Sequence, residues 1–141
     1  MKRVGAIILT LLVVTITLGG VNRRVCNAKG AETVPDCVVS NRSNGEYWVT
    51  IIANREKIED ETEFAEELIE QMRNDGFQRI KFFWGDGSEY PTSLQMSVYL
   101  TEADWQNKHK EPYMKILFRQ ENIVNGYNIL EDYDRFKLEM K

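Results

Sequence analysis

The chain has 141 residues, 43% of them hydrophobic and 28% charged, which is the composition of a globular protein with one hydrophobic core. The part after residue 28 contains 14 basic and 22 acidic residues, a net charge of −8. A surface of that sign repels phosphate backbones, so the composition argues against nucleic acid as a general partner.

Residues 1–28 have the three-part layout of an export segment. Lys2 and Arg3 precede an uncharged run over residues 4–21, and a pair of arginines follows it. Small residues ending at Ala28 fit a cleavage site, whereas the uncharged run is just long enough to cross a bilayer if it is retained. We expect a signal peptide or an N-terminal membrane anchor. Both alternatives place the rest of the chain outside the cytoplasm, either secreted or held at the cell membrane through this run.

Residues 29–45 are predicted to be a linker, because glycine, proline, serine and asparagine recur there with little periodicity. Cys37 lies in this stretch. It can pair with Cys26 in an oxidising compartment if the export segment is retained, and it is an unpaired thiol if cleavage removes Cys26. Residues 41–43 (NRS) match a glycosylation sequon, a short motif that a chain this rich in asparagine often contains by chance.

Residues 46–141 are predicted to form a single α+β domain, which starts with a strand over residues 46–53, rich in aromatic and β-branched side chains. The main helix follows, with Asp60 as its N-terminal cap and Glu63 at the spacing of a capping box. Asn-Asp-Gly ends the helix, with Gly76 in the left-handed conformation. The apolar face of the helix recurs at helical spacing and consists of Phe64, Ala65, Leu68, Ile69 and Met72.

Beyond the helix, three runs alternate between apolar and other residues, which is the period of strands with one buried face; they span residues 79–84, 94–101 and 113–120. Residues 85–93 have turn chemistry and connect the first two runs. A helix of at most two turns is expected after Thr101. The tail from residue 129 has the periodicity of either a helix or a strand, and the favoured interpretation is a helical turn followed by a short final strand.

These elements predict an antiparallel sheet of four to five strands packed on one main helix, in the order strand–helix–strand–strand–short helix–strand–strand. The helix face of Phe64, Leu68, Ile69 and Met72 is expected to pack against residues from three strands, namely Ile80, Phe82, Val98 and Ile116.

One helix covers only one face of such a sheet, so the opposite face is predicted to carry the residues of the other strand parity. These residues are aromatic or basic and include Trp48, Lys81, Phe83, Tyr99, Tyr113 and Lys115, with Arg79 and Arg119 among them. On an acidic protein, such a surface is typical of a binding platform for a protein or a glycan. The structural alternative is cross-strand pairing that only stabilises the sheet.

The sequence contains no motif that indicates a catalytic centre, a metal site or a bound cofactor. Its one histidine, His109, lies in a polar stretch that predicts an exposed loop. Acidic residues are concentrated at the start of the helix, where their negative charge interacts favourably with the positive end of the helix dipole. The leading functional prediction is therefore a non-catalytic binding or interaction domain. A small hydrolase that uses two carboxylates from distant positions is the alternative, although nothing selects which two.

From about residue 56 to its end, the chain resembles small exported proteins of unknown function from clostridial gut bacteria. The likeness is carried by GFQRIKF (76–82), YP (90–91), LQMSVYL (94–100), Asp104 and DRFKLEM (134–140). The resemblance implies a bacterial domain outside the cytoplasm and implies no activity, cofactor or catalytic residue. Some proteins of that group are lipid-anchored, but neither cysteine of this chain follows the small residues that lipid attachment requires.

Overall fold

The computed structural model describes residues 34–82, 84, 90–122 and 126–141. The predicted export segment, Cys26 and Phe83 lie outside the described residues. In this part of the chain no helix has the length and apolarity needed to cross a membrane. The elements are, in chain order, β1 (Asp36–Ser43), β2 (Glu46–Ile52), α1 (Glu61–Arg73), β3 (Ser93–Tyr99), α2 (Glu102–Gln106), β4 (Met114–Gln120), a 3₁₀ turn (Tyr133–Arg135) and β5 (Phe136–Met140).

The five strands form one mixed sheet with the order β1-β2-β3-β4-β5. β2 and β3 run parallel, and the other three neighbouring pairs are antiparallel. The α+β class and the single main helix are confirmed, whereas the wholly antiparallel sheet and the predicted strand order are wrong. The reason is that α1 connects β2 to its neighbour β3, and a crossover helix returns the chain to the end of the sheet at which β2 began.

The predicted linker over residues 29–45 overlaps β1, and the prediction is wrong for residues 36–43. β1 and β2 form a hairpin joined by Asn44 and Gly45, both of which have positive φ angles, 51° and 80°. Two positive φ angles define the hairpin turn for which Asn-Gly is the strongest short sequence signal. The sequence therefore contains the hairpin signal that the linker prediction overlooked.

The predicted strand over residues 79–84 is absent from its described residues, 79–82 and 84. Side-chain carboxylates bind the backbone there: Asp36 accepts from the N–H groups of residues 78 and 79 (2.8 and 3.3 Å), and Asp75 accepts from Phe82 (2.6 Å). N–H groups paired in this way are not available to a neighbouring strand. The predicted inward side chains nevertheless pack against the core, and these are Ile80, Phe82 and Trp84.

The core lies between the sheet and a layer that consists of α1 and the segments that follow α1 and β4. The predicted face of α1 is buried and forms one cluster with Val98 and Ile116. Ile80 and Phe82 pack against the same cluster, so the predicted burial of the helix face in one core with these residues is confirmed. Phe77, just after α1, is fully buried and adds an aromatic ring to it.

The predicted helix start and tail are also confirmed. Asp60 Oδ1 accepts a hydrogen bond from the Glu63 N–H (2.9 Å) at the N-terminus of α1, and Thr101 caps α2 in the same way. The left-handed residue after α1 is Asp75 (φ 52°) and not Gly76. The tail forms a 3₁₀ turn followed by β5.

Candidate functional site

The sheet face opposite α1, called the outer face from here on, is accessible to solvent over much of its length. In β3 the inward residues Leu94, Met96 and Val98 are buried, whereas Gln95 is exposed. Trp48 in β2 has the outward parity and is 38% exposed. This alternation is that of a sheet with one face in the core and one face in water.

Three of the predicted binding residues lie on the outer face, but they are not side by side. The register places Tyr99 four residues beyond the row of Trp48, about 13 Å along the strands. Lys115 lies two residues beyond that row and two strands away from Trp48. The outer face therefore spreads Trp48, Lys115 and Tyr99 along its length and does not gather them into one cluster.

The remaining predicted residues behave differently. Lys81 is not on the outer face, because its ammonium group donates to the carbonyl oxygen of Asp75 (3.2 Å) beyond the end of α1; its assignment to that face is wrong. Tyr113, 44% exposed, precedes β4, and its hydroxyl donates to the carboxylate of Glu61 at the start of α1 (2.9 Å). This hydrogen bond raises the pKa of Tyr113. Phe83 lies outside the described residues.

A groove of about 600 Å³ opens where β3 begins. Two rows of the strand register cross it, one of them Glu46–Ser93–Arg119 and the other Trp48–Gln95–Leu117. These six residues define what is called the outer groove below. β3 supplies the floor because it is the middle strand, and β2 and β4 supply two walls whose backbones are about 10 Å apart.

Sequence reasoning identifies Trp48 and Arg119 in this groove and misses the other four residues. Strand parity already assigns Gln95 to the face opposite its buried neighbours, which is the signal that could have found it. Parity does not show which residues of different strands lie side by side, because that depends on the register between β2 and β3.

The β1–β2 turn holds the end of the outer groove in place. The N–H groups of Thr92 and Ser93 both point at the carbonyl oxygen of Gly45 (2.8 and 3.4 Å). A Cβ atom at Gly45 would lie 2.8 Å from Thr92 Oγ1, so the turn and the start of β3 are in direct contact. The groove is thus a preorganised surface on a paired sheet, and a ligand would not have to order it.

The outer groove contains one charge of each sign, because Glu46 and Arg119 stand on opposite walls of the same row. The Arg119 guanidinium lies 3.5 Å from the carboxylate of Glu139 in β5, and both side chains are about half exposed, so this ion pair is weak. Trp48 and Leu117 stand on opposite walls of the next row. Both charges of the groove therefore lie in one row, and in the other row two apolar side chains face each other across Gln95.

Cys37 lies in β1 and is fully buried and unpaired. Its thiol donates to the carbonyl oxygen of Val39 (3.3 Å). Burial of the thiol raises the pKa of Cys37 to about 12, so the nucleophilic thiolate is scarce at neutral pH. The sequence-based placement of this cysteine in a linker is wrong.

A second cavity, of about 520 Å³, lies at the start of α1 and is lined by several acidic residues. Within the described ranges, no group of three or more His, Cys, Asp or Glu residues is placed to hold a metal ion. The described carboxyl groups with a shifted pKa are Glu102 and Asp104, and hydrogen bonds from Arg79 and Lys110 lower both pKa values. A carboxyl that acts as a general acid near neutral pH needs a shift in the opposite direction.

Comparisons of the chain with protein-family models, with curated protein sequences and with solved structures give no significant match. The resemblance to exported clostridial proteins stays a prediction. The outer groove and the sequence are therefore the observations that bear on function.

Proposed function

We propose that this chain is a non-catalytic binding domain displayed outside the cytoplasm, and that the outer groove is its binding site for a protein or a glycan. The observation that carries the proposal is the partly exposed ring of Trp48 beside a preorganised groove on the face that α1 leaves open. Large aromatic side chains are enriched among the residues that supply most of the binding energy at interfaces, and they lose few rotamers on binding.

The strand register favours this proposal over a purely structural role for Trp48. Its cross-strand neighbours are Asn41 in β1 and Gln95 in β3, both exposed and polar. Sheets gain stability from a tryptophan chiefly when its cross-strand neighbour is aromatic or β-branched. An exposed ring with two polar neighbours contributes little to the sheet and is available to a partner.

The test is the binding of the full-length protein to isolated bacterial cell envelopes, measured by co-sedimentation. We expect Trp48→Ala to lose most of the bound fraction and Tyr113→Ala to keep it. Tyr113 is the matched control, because it is a similarly exposed ring that lies four residues, about 13 Å, from the groove row of Leu117. Circular dichroism and thermal melting establish that both variants are folded. Equal binding by the wild type and Trp48→Ala would contradict the proposal.

The location of the protein outside the cytoplasm is a separate part of the proposal. The basic, apolar and basic segments of residues 1–28 support export, with the domain either secreted or anchored at the cell membrane through residues 4–21. A fusion of residues 1–40 to a reporter that is active only outside the cytoplasm tests it. A reporter that is made but stays silent would refute export.

The alternative of a carboxylate-dependent hydrolase gains no support from the outer groove. Such an enzyme needs two carboxylates that flank the scissile bond. Among the described residues that line this groove, Glu46 is the one carboxylate.

A further inference from the structure

We infer that the ligand of the outer groove is a neutral oligosaccharide, an inference that rests on the proposed binding function of that groove. Three features of the groove support it: a backbone that is already paired, one charge of each sign among its six residues, and apolar side chains on the two walls with polar side chains on the floor.

The paired backbone limits how a ligand can be recognised. The outer groove lies on β2, β3 and β4, which are the interior strands of the five-stranded sheet and are hydrogen-bonded to neighbours on both sides. An extended peptide that binds a sheet by strand addition does so at a free edge, where main-chain groups are unpaired. These three strands therefore present side chains to a ligand in the outer groove, so ring contacts and side-chain hydrogen bonds must recognise it.

The charge of the groove favours a neutral ligand. Glu46 and Arg119 place one negative and one positive group in the same row, on opposite walls. A polyanion along the groove would approach the carboxylate of Glu46, and a polycation would approach the guanidinium of Arg119. Either ligand brings like charges together, which specific sites use to reject partners.

The side chains match the two kinds of surface that a sugar ring presents. A pyranose has an apolar C–H face, which can lie against Trp48 and Leu117 on the two walls, and a rim of hydroxyl groups that donate and accept hydrogen bonds. Ser93 and Gln95 on the floor can do both, Glu46 accepts, and Arg119 donates. An aliphatic ligand would leave these polar groups unpaired, which is unfavourable.

The direct test uses soluble hexasaccharides of β-1,4-glucose, α-1,4-glucose, β-1,4-xylose and β-1,4-N-acetylglucosamine, with an anionic oligogalacturonate as the charged counterpart. Calorimetry and tryptophan fluorescence of the full-length protein measure binding. We expect at least one neutral probe to bind, with an affinity that changes less than about twofold between roughly 0.05 and 0.5 M salt, because screening acts on charged ligands. Trp48→Ala should weaken this binding at least about tenfold, as the loss of an aromatic anchor does, and Tyr113→Ala should not.

Several results overturn the inference. These are binding of none of the neutral probes, binding of the anionic probe alone, and sugar binding that Trp48→Ala leaves unchanged. The envelope assay separates this failure from a failure of the proposed function. In one outcome, the capture of envelopes depends on Trp48 and is lost after the envelopes are digested with protease. That result would leave the binding function intact and identify a protein ligand. Capture that does not depend on Trp48 would remove both proposals.

Discussion

The carboxylate of Asp36 is expected to hold the segment after α1 against the edge of the sheet. Asp36 Oδ1 accepts from the backbone N–H groups of Cys37 (3.0 Å), Gln78 (2.8 Å) and Arg79 (3.3 Å). Its Oδ2 lies 3.4 Å from Arg79 Nε, and the Asp36 side chain is only 12% exposed. The substitution Asp36→Ala removes the acceptor of all three N–H groups.

The expected loss can be worked out from these bonds. A hydrogen bond to a charged acceptor contributes about 1.5–3 kcal/mol. The bond from residue 79 is long, and residues 78 and 79 are exposed, so water can partly replace the carboxylate there. With two effective bonds at the lower limit, Asp36→Ala should lower the free energy of unfolding by about 3 kcal/mol. Asp36→Asn keeps one acceptor oxygen without the charge and should lower it by roughly half as much.

Urea unfolding followed by tryptophan fluorescence measures both values, and hydrogen exchange of the amides of residues 78 and 79 reports the bonds directly. Asp134→Ala, at an exposed position, is the matched control and should change stability by less than about 0.5 kcal/mol. If Asp36→Ala has an effect as small as the control, or if the two amides keep their protection from exchange, the carboxylate does not hold the segment.

Three further predictions concern the core, the buried thiol and the hairpin. Leu68→Ala should lower the free energy of unfolding by about 2–5 kcal/mol in urea, because Leu68 is fully buried; a loss below about 0.5 kcal/mol would contradict its place in the core. Because the pKa of Cys37 is raised, the unfolded chain releases the thiol proton above about pH 9 whereas the folded chain retains it. The free energy of unfolding should therefore fall by roughly 1 kcal/mol per pH unit between about pH 9 and 11. Urea titrations at these two pH values measure this fall, which Cys37→Ala should lack. Gly45→Ala should lower the free energy of unfolding by about 1–2 kcal/mol, because alanine is strained at φ +80°. An unchanged free energy of unfolding in calorimetry would mean that the turn relaxes.

Features that depend on local periodicity are those that the sequence predicts well. The cap at Asp60, the buried face around Leu68 and the final strand after residue 135 each follow from residues within a few positions of one another. Helical and strand periods are properties of short windows, so a single sequence contains them. The same kind of period predicts the inward alternation of Ile80, Phe82 and Trp84, although the element to which they belong is not a strand.

Features that depend on distant contacts are those that the sequence did not reveal. Asp36 and Gln78 are 42 positions apart, and nothing near either residue shows that the carboxylate of one binds the backbone of the other. The edge strand β1 is a different case, because its Asn44-Gly45 turn is a local hairpin signal that polar composition concealed. Composition is thus a poor guide at sheet edges, where strands are only half buried and are rich in polar residues.

The outer groove also depends on contacts between residues that are far apart in the sequence. The predicted antiparallel sheet contains a strand over residues 79–84, which follows β2 and precedes β3 along the chain. In the structure the carboxylates of Asp36 and Asp75 bind the N–H groups of residues 78, 79 and 82, and β3 pairs directly with β2 in parallel. Only this pairing brings Ser93 and Gln95 beside Glu46 and Trp48. The carboxylates of Asp36 and Asp75, outside the groove, thus bind the segment that the predicted order placed between β2 and β3. Strand parity assigns Trp48 and Gln95 to the same face, but it does not show that they lie side by side, because that depends on the register between β2 and β3.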